Sequence, residues 1–319
     1  MRFLPILLAP MAGGPNTPEL VGAVAAAGGV GMVAGGADEA ETIVNTLERA
    51  RALSRGGKIG VNFFVPHQIS RTAADQQAFQ TYTETLQPVI DDLFTEVPSW
   101  FVCSRVWDQL AQVKPVLAAK PDLVSFTFGF PSDEVTQLIR STGLEPYVTC
   151  ASGDMIRLAL QAGFTHLIVQ GSEDGGHRSS LTEDEEPTDE STLDLVNAAV
   201  AAGAEKVIAA GGVRSADDVA EYLAQGATGV QAGSMFLCSF ESGVSVFGKE
   251  RLMQGHPTKV TRSFSGRPAR GINSLVQDES TVPSLYPEVN NLTQLIRKSA
   301  REQGQAQYEA LWVGEQSHN

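Results

Sequence analysis

The 319-residue chain is poor in three things: cysteine, basic side chains and uninterrupted apolar stretches. Its three cysteines, Cys103, Cys150 and Cys238, are too few and too scattered for a disulfide framework, so a reducing compartment and a core-filling role are expected. Neither they nor the five histidines fall at metal-ligand spacing, and no metal is called for. Lys and Arg number 23 against 37 Asp and Glu, a formal net charge of −14. That balance leaves no clustered cation to attract nucleic acid or an anionic membrane. No segment approaches the ~18 apolar residues of a membrane span. The opening MRFLPILLAPMA is short and interrupted by Pro5 and Pro10, so it reads as a first strand and not as a signal peptide. A soluble cytoplasmic protein of small-molecule chemistry is expected, monomeric or homodimeric.

What the chain does have is an ordinary apolar share of 42% and a regular alternation of short apolar runs with helical patterns. Eight candidate strands stand out: Ile6–Ala9, Gly31–Val33, Ile59–Phe63, Leu123–Thr127, Tyr147–Cys150, Leu167–Gln170, Val207–Ala210 and Gly229–Ala232. Helical stretches fall between them near Pro18–Ala27, Asp38–Leu53, Gln77–Leu93, Asp133–Thr142, Asp154–Ala162, Leu193–Ala202 and Ala216–Gln225. Repeated βα units of this number predict an α/β fold, a closed (β/α)₈ TIM barrel. The barrel is expected over 1–239, with an irregular insertion or lid over 240–290 and a C-terminal helix and tail over 291–319. Residues 94–122 supply more chain than one crossover needs and are expected to hold an extra strand and helix. The acidic run TEDEEPTDE at 182–190 reads as a solvated loop.

The chemistry is expected after the sixth strand, where LIVQGSEDGGHRSS runs from Leu167 to Ser180. Gly175 and Gly176 let a bound group approach the backbone. His177 is a proton-transfer group that titrates near neutrality when unperturbed, and Arg178 offers a charge for an anion. The other four histidines, His67, His166, His256 and His318, have no comparable setting. At the seventh and eighth strand ends stand Gly211-Gly212 and Gly233-Ser234. Backbone N–H groups after those strands recurrently hold a phosphate in this fold.

The motifs APMAGGPNTPEL, GVNFFVP, VSFTFGFP, QGSEDGGHRSS, AAGGV, GVQAGSMFL, SGRPARG and LWVGEQ, in order along nearly the whole chain, resemble the nitronate monooxygenases, formerly called 2-nitropropane dioxygenases. The resemblance implies an FMN-containing barrel that oxidises alkyl nitronates with O₂. It implies that Pro10, Met11 and Ala12 border the flavin and that Asn62, Gln170, Gly175, Gly212, Gln231, Ala232, Gly233 and Ser234 hold it. His177 would be the catalytic base, and Phe126 and Phe128 part of the substrate wall. The sequence departs from the family pattern at Ser179, where glycine is usual, and at Ala232 and Ser234, where a larger residue and threonine are common. Flavin-dependent NAD(P)H-using reductases, acting on enoyl-acyl carrier protein or quinones, share the fold and the GGH loop and stand as the alternative. A non-catalytic phosphate-ligand barrel is a further one.

Overall fold

The computed structural model describes residues 4–98 and 107–315. Strands β1 (Ile6–Leu8), β2 (Val30–Gly36), β3 (Lys58–Phe64), β4 (Leu123–Thr127), β5 (Tyr147–Cys150) and β6 (His166–Gln170) run in parallel order. After β7 (Gly176–His177), which lies outside the barrel, β8 (Lys206–Ala210) and β9 (Gly229–Ala232) complete it, and β9 pairs with β1 to close an eight-stranded barrel. All eight expected strands are present. Each is a mostly apolar run because barrel strands are covered on both faces. Helices α1 (Pro18–Ala26) and α2 (Ala40–Leu53) follow β1 and β2, and α3 (Ala73–Thr85), α4 (Gln87–Asp92) and α5 (Gln109–Ala118) follow β3. Then come α6 (Asp133–Ser141), α7 (Gly153–Gln161), α8 (Thr192–Ala201) and α9 (Ala216–Ala224). Thr17, Ser132, Ser152, Ser191 and Ser215 cap the N-termini of α1, α6, α7, α8 and α9 by accepting a backbone N–H from the first turn.

The expected single helix over Gln77–Leu93 is two, α3 and α4, because Pro88 has no N–H to continue the ladder and suits a first turn instead. The expected helix within 94–122 is α5. The expected extra strand falls partly on residues 99–106, outside the described residues.

The C-terminal part holds α10 (Val246–Met253), β10 (Lys259–Thr261), β11 (Ala269–Gly271) and α11 (Glu288–Glu302), and α11 with the segment before it builds a second apolar core. Phe264, Leu285, Leu292 and Ile296 meet Phe79, Tyr82 and Ile90 there. The unit therefore also draws on α3 and α4, which the sequence reading placed in a barrel crossover. Strand β11 pairs antiparallel with both β10 and β7, setting Ala269 opposite His177.

Two expectations are corrected. The acidic run is no freely solvated loop: Glu183 pairs with Arg71, Glu190 accepts the N–H of Gly153, and Arg262 donates to the Glu183 and Glu185 carbonyls. Arg71 and Arg262, brought from distant segments, pair with part of it, while Asp184, Glu186 and Asp189 stay exposed. Cys150 is buried as expected, but Cys238 is exposed and fills no core.

Candidate active site

The loop after β6 is held by its own polar residues. Gln170 Nε2 donates to Asp174 Oδ2 at 2.9 Å and to the His177 carbonyl at 2.8 Å, while its Oε1 accepts the Ser179 N–H at 2.8 Å. Glu173 accepts both the N–H and the hydroxyl of Thr192. A Cβ on Gly175 would lie 2.4 Å from Gly314 N, so that glycine admits the C-terminal tail. Arg178 is buried, donating to the Gly171 carbonyl and lying close enough to Asp174 to feel its charge. Gln170, Gly175 and Arg178 thus build the loop and position His177.

The His177 ring stands at the mouth between Phe128 and Trp312, with edge contacts at centroid distances of 6.0 and 5.5 Å. Its Nε2 is 2.8 Å from Ser265 Oγ, and its Nδ1 makes no hydrogen bond among the described residues. Burial, reinforced by Arg267 and Arg297, lowers its pKa to about 3. The imidazole is therefore neutral at physiological pH.

A cavity of about 190 Å³ is lined by Phe128, Arg267, Tyr286, His67, Phe64 and Trp107 among others; His177 is not in its lining but touches Phe128, which is. Arg267 is 2% exposed, and its guanidinium carbon lies 4.3 Å from the Phe128 ring centroid and 5.2 Å from that of Tyr286. Its Nη1 donates to Ser180 Oγ at 2.8 Å, whereas Nε has no partner. His67 Nε2 donates to the Phe128 carbonyl at 2.7 Å, and burial and then Arg267 lower its pKa. Sequence reasoning missed His67, Arg267 and Tyr286 as cavity residues, although SGRPARG was among the motifs it used. Phe128 has a φ of +70°, an uncommon conformation for a bulky residue, and its N–H is accepted by Ser179 Oγ. The residue departing from the family pattern thus supports the strained one. Phe126 stacks on Phe63 in the core between strands and helices, away from this cavity.

The other expected residues gather at the C-terminal strand ends. Asn62 is buried, and its Oδ1 accepts from Ser125 Oγ at 2.8 Å and Thr127 Oγ1 at 3.2 Å. Its Nδ2 has no partner among the described residues, so the donor end is left for another acceptor. Gln231 Oε1 is buried with no partner. Met11 and Ala12 line a second recess of about 130 Å³ with Ala34 and Asp38; neither recess extends to Gly212 or Ser234. Gly212 has a φ of +68°, which its glycine permits. The N–H groups of Gly212, Val213, Ser234 and Met235 find no acceptor among the described residues, and Ser234 Oγ accepts the Gly314 N–H. Gly233 abuts Ala9 and Met11, while Ala232 belongs to the strand–helix core.

A neutral imidazole and a buried guanidinium without a carboxylate partner among the described residues thus stand at the mouth of a closed barrel, and the chain is a barrel protein with a candidate active site there. Comparison with known proteins makes it an oxidoreductase: a family model described as nitronate monooxygenase matches residues 1–319, and the chain belongs to that family. It is 31% identical over 321 residues to a probable nitronate monooxygenase of Staphylococcus aureus strain N315, across 98% of this chain and 88% of that protein. Nitroalkane oxidase from Streptomyces ansochromogenes superposes with a TM-score of 0.87 at 33% identity, covering 98% of this chain and 89% of that one. FabK from Thermotoga maritima gives a TM-score of 0.67 at 25% identity, covering 98% and 85%. Among the described residues no helix is long and apolar enough to cross a membrane.

Proposed function

We propose that the protein oxidises alkyl nitronates with O₂ to carbonyl compounds and nitrite, using FMN held at the C-terminal ends of the barrel strands. The observation that carries this reading is the His177 imidazole, set between Phe128 and Trp312 with Ser265 on Nε2, at a mouth that also presents unpaired polar groups. Those groups fit a flavin phosphate and ring. The free N–H groups of Gly212, Val213, Ser234 and Met235 suit an anion, and Asn62 Nδ2 and Gln231 Oε1 offer a donor and an acceptor to a polar ring edge. Pro10, Met11 and Ala12 follow β1, and Gly211 and Gly233 follow β8 and β9, where a side chain would press on Thr192 and Asp174 and on Ala9 and Met11. FMN, when bound, supplies the electron acceptor between substrate and O₂.

The chain's own part is to bind, to orient and to hold a proton. His177 removes the proton from the carbon bearing the nitro group of a neutral nitroalkane; a preformed nitronate needs no base. Phe128, Tyr286 and Trp312 keep the site apolar, which strengthens every charge interaction within it. The test is the flavin absorbance of the purified protein, followed by anaerobic mixing with a nitronate and, in parallel, with NAD(P)H. Rapid bleaching by the nitronate alone is expected. Bleaching by NAD(P)H alone would transfer the protein to the reductase reading.

Gln231 gives an independent check of the cofactor's place. A Gln231→Met protein keeps the side-chain shape and removes the unpaired oxygen. We expect the FMN-free form to unfold at an equal or higher temperature, because an unsatisfied buried acceptor costs about 1–3 kcal/mol. FMN affinity should fall by roughly tenfold to a hundredfold, the same energy lost from the complex. Unchanged affinity measured by equilibrium dialysis would move the flavin away from β9.

A further inference from the structure

Arg267 is a buried cation that the loop and cofactor sites leave unassigned; Arg297, the other cation acting on His177, donates to Asn290 and does not line the cavity. Arg71 and Arg262 have carboxylate partners, and Arg178 lies beside Asp174. Arg267 has no carboxylate within ion-pair distance among the described residues, though it is 2% exposed. Withdrawing a charge from water without a counter-ion costs several kcal/mol, and two aromatic faces, each returning about 2 kcal/mol when desolvated, offset only part of it. Nη2 makes no hydrogen bond among the described residues, and the side chain lines the cavity. Both histidines near it are held neutral, so the guanidinium charge is not duplicated there. The missing element is an anion. Phe64, Val65, Ile69, Trp107 and Leu181 give the cavity apolar walls, while Gln68, Glu183 and Asp184 also line it, Glu183 being already paired with Arg71.

We propose that Arg267 is the specificity-determining residue that recognises the anionic head of the substrate, and that the cavity beside it takes monoanions with an apolar substituent of about four to six carbons. This rests on the nitronate reading for the identity of the head group. The length follows from volume: an apolar cavity of ~150 Å³ holds a benzene ring, and this one is about 190 Å³. The test uses FMN-loaded enzyme with ethyl, butyl and hexyl nitronates, and with butanoate as an unreactive carboxylate followed by flavin absorbance and tryptophan fluorescence. Expected is a rise in kcat/KM of about threefold to fourfold per added CH₂, ending where the cavity is full. An Arg267→Met protein should show KM for butyl nitronate and Kd for butanoate raised by roughly tenfold to a hundredfold, with kcat changed far less. Arg267→Lys should recover part of both. In wild-type enzyme butanoate should compete with the nitronate and butanol should not; equal inhibition by the two overturns the proposal even if no variant folds. KM and Kd within threefold of wild type in FMN-replete Arg267→Met would overturn it directly. Butanoate binding through Arg267 in an enzyme that leaves nitronates unreacted would uphold the anion site while removing nitronate oxidation.

Discussion

Replacing Arg71 by methionine should lower the unfolding free energy by about 3–5 kcal/mol, the usual loss when one partner of a buried ion pair is removed. Arg71 joins three segments. It pairs with Glu183 of the acidic loop and, at 2.7 Å, with Glu288 at the start of α11, and it donates to the Tyr286 carbonyl at 2.8 Å. The Arg71 and Glu288 side chains are 5% and 0% exposed, so the discount that applies to surface pairs does not apply here. In Arg71→Met the Glu288 carboxylate loses its guanidinium while remaining inside. A midpoint lower by on the order of 10 °C is expected, and the KM of substrates using the cavity should rise, because Tyr286 supplies a wall and stacks on Arg267. Adding Glu288→Gln should return part of the stability by removing a buried charge that has lost its guanidinium. A loss under about 1 kcal/mol, the surface-pair value, would show that the network contributes little.

The barrel was legible because its determinants are local. A strand covered on both faces is a short apolar run, a following Ser or Thr caps the next helix, and both marks sit within a few residues of the element they define. Arg267 was illegible for the opposite reason. It reaches the mouth only because β11 pairs with β7, placing Ala269 opposite His177, and nothing near either segment announces the other. The acidic run was legible only in part: it is a loop with Asp184, Glu186 and Asp189 exposed, but its partners Arg71 and Arg262 arrive from elsewhere.

Two site assignments turn on backbone direction. Arg178 follows His177 in sequence, but successive side chains of an extended segment point to opposite sides. His177 reaches the mouth and Arg178 lies buried against the Gly171 carbonyl. Phe126 faces the helices from β4, and a regular continuation would send Phe128 the same way. The positive φ of Phe128 breaks the alternation and accompanies its turn into the cavity. Composition cannot show a single left-handed residue, so the two phenylalanines look alike until the backbone is seen.

The imidazole of His177 has two separable jobs, and His177→Asn distinguishes them. As a general base it should contribute ~10²–10⁴ to the oxidation of a neutral nitroalkane, while a preformed nitronate, already deprotonated, should react at nearly the original rate. Burial, Arg267 and Arg297 hold its pKa at about 3. The base form is therefore present above that value, and the nitroalkane rate should not show the fall between about pH 8 and 5 that an ordinary imidazole imposes. So low a pKa also makes a weak proton acceptor while the guanidinium beside it is unpaired. Deprotonation of the substrate changes that setting, since the new nitronate charge forms near Arg267 and favours the imidazolium. Ser265 Oγ occupies Nε2, so with the proton there Nδ1 is the nitrogen free to accept. The measurement is the pair of rates on FMN-replete wild-type and His177→Asn protein across pH. Equal losses with both substrates would make His177 a binding group, and no loss with either would remove it from the mechanism.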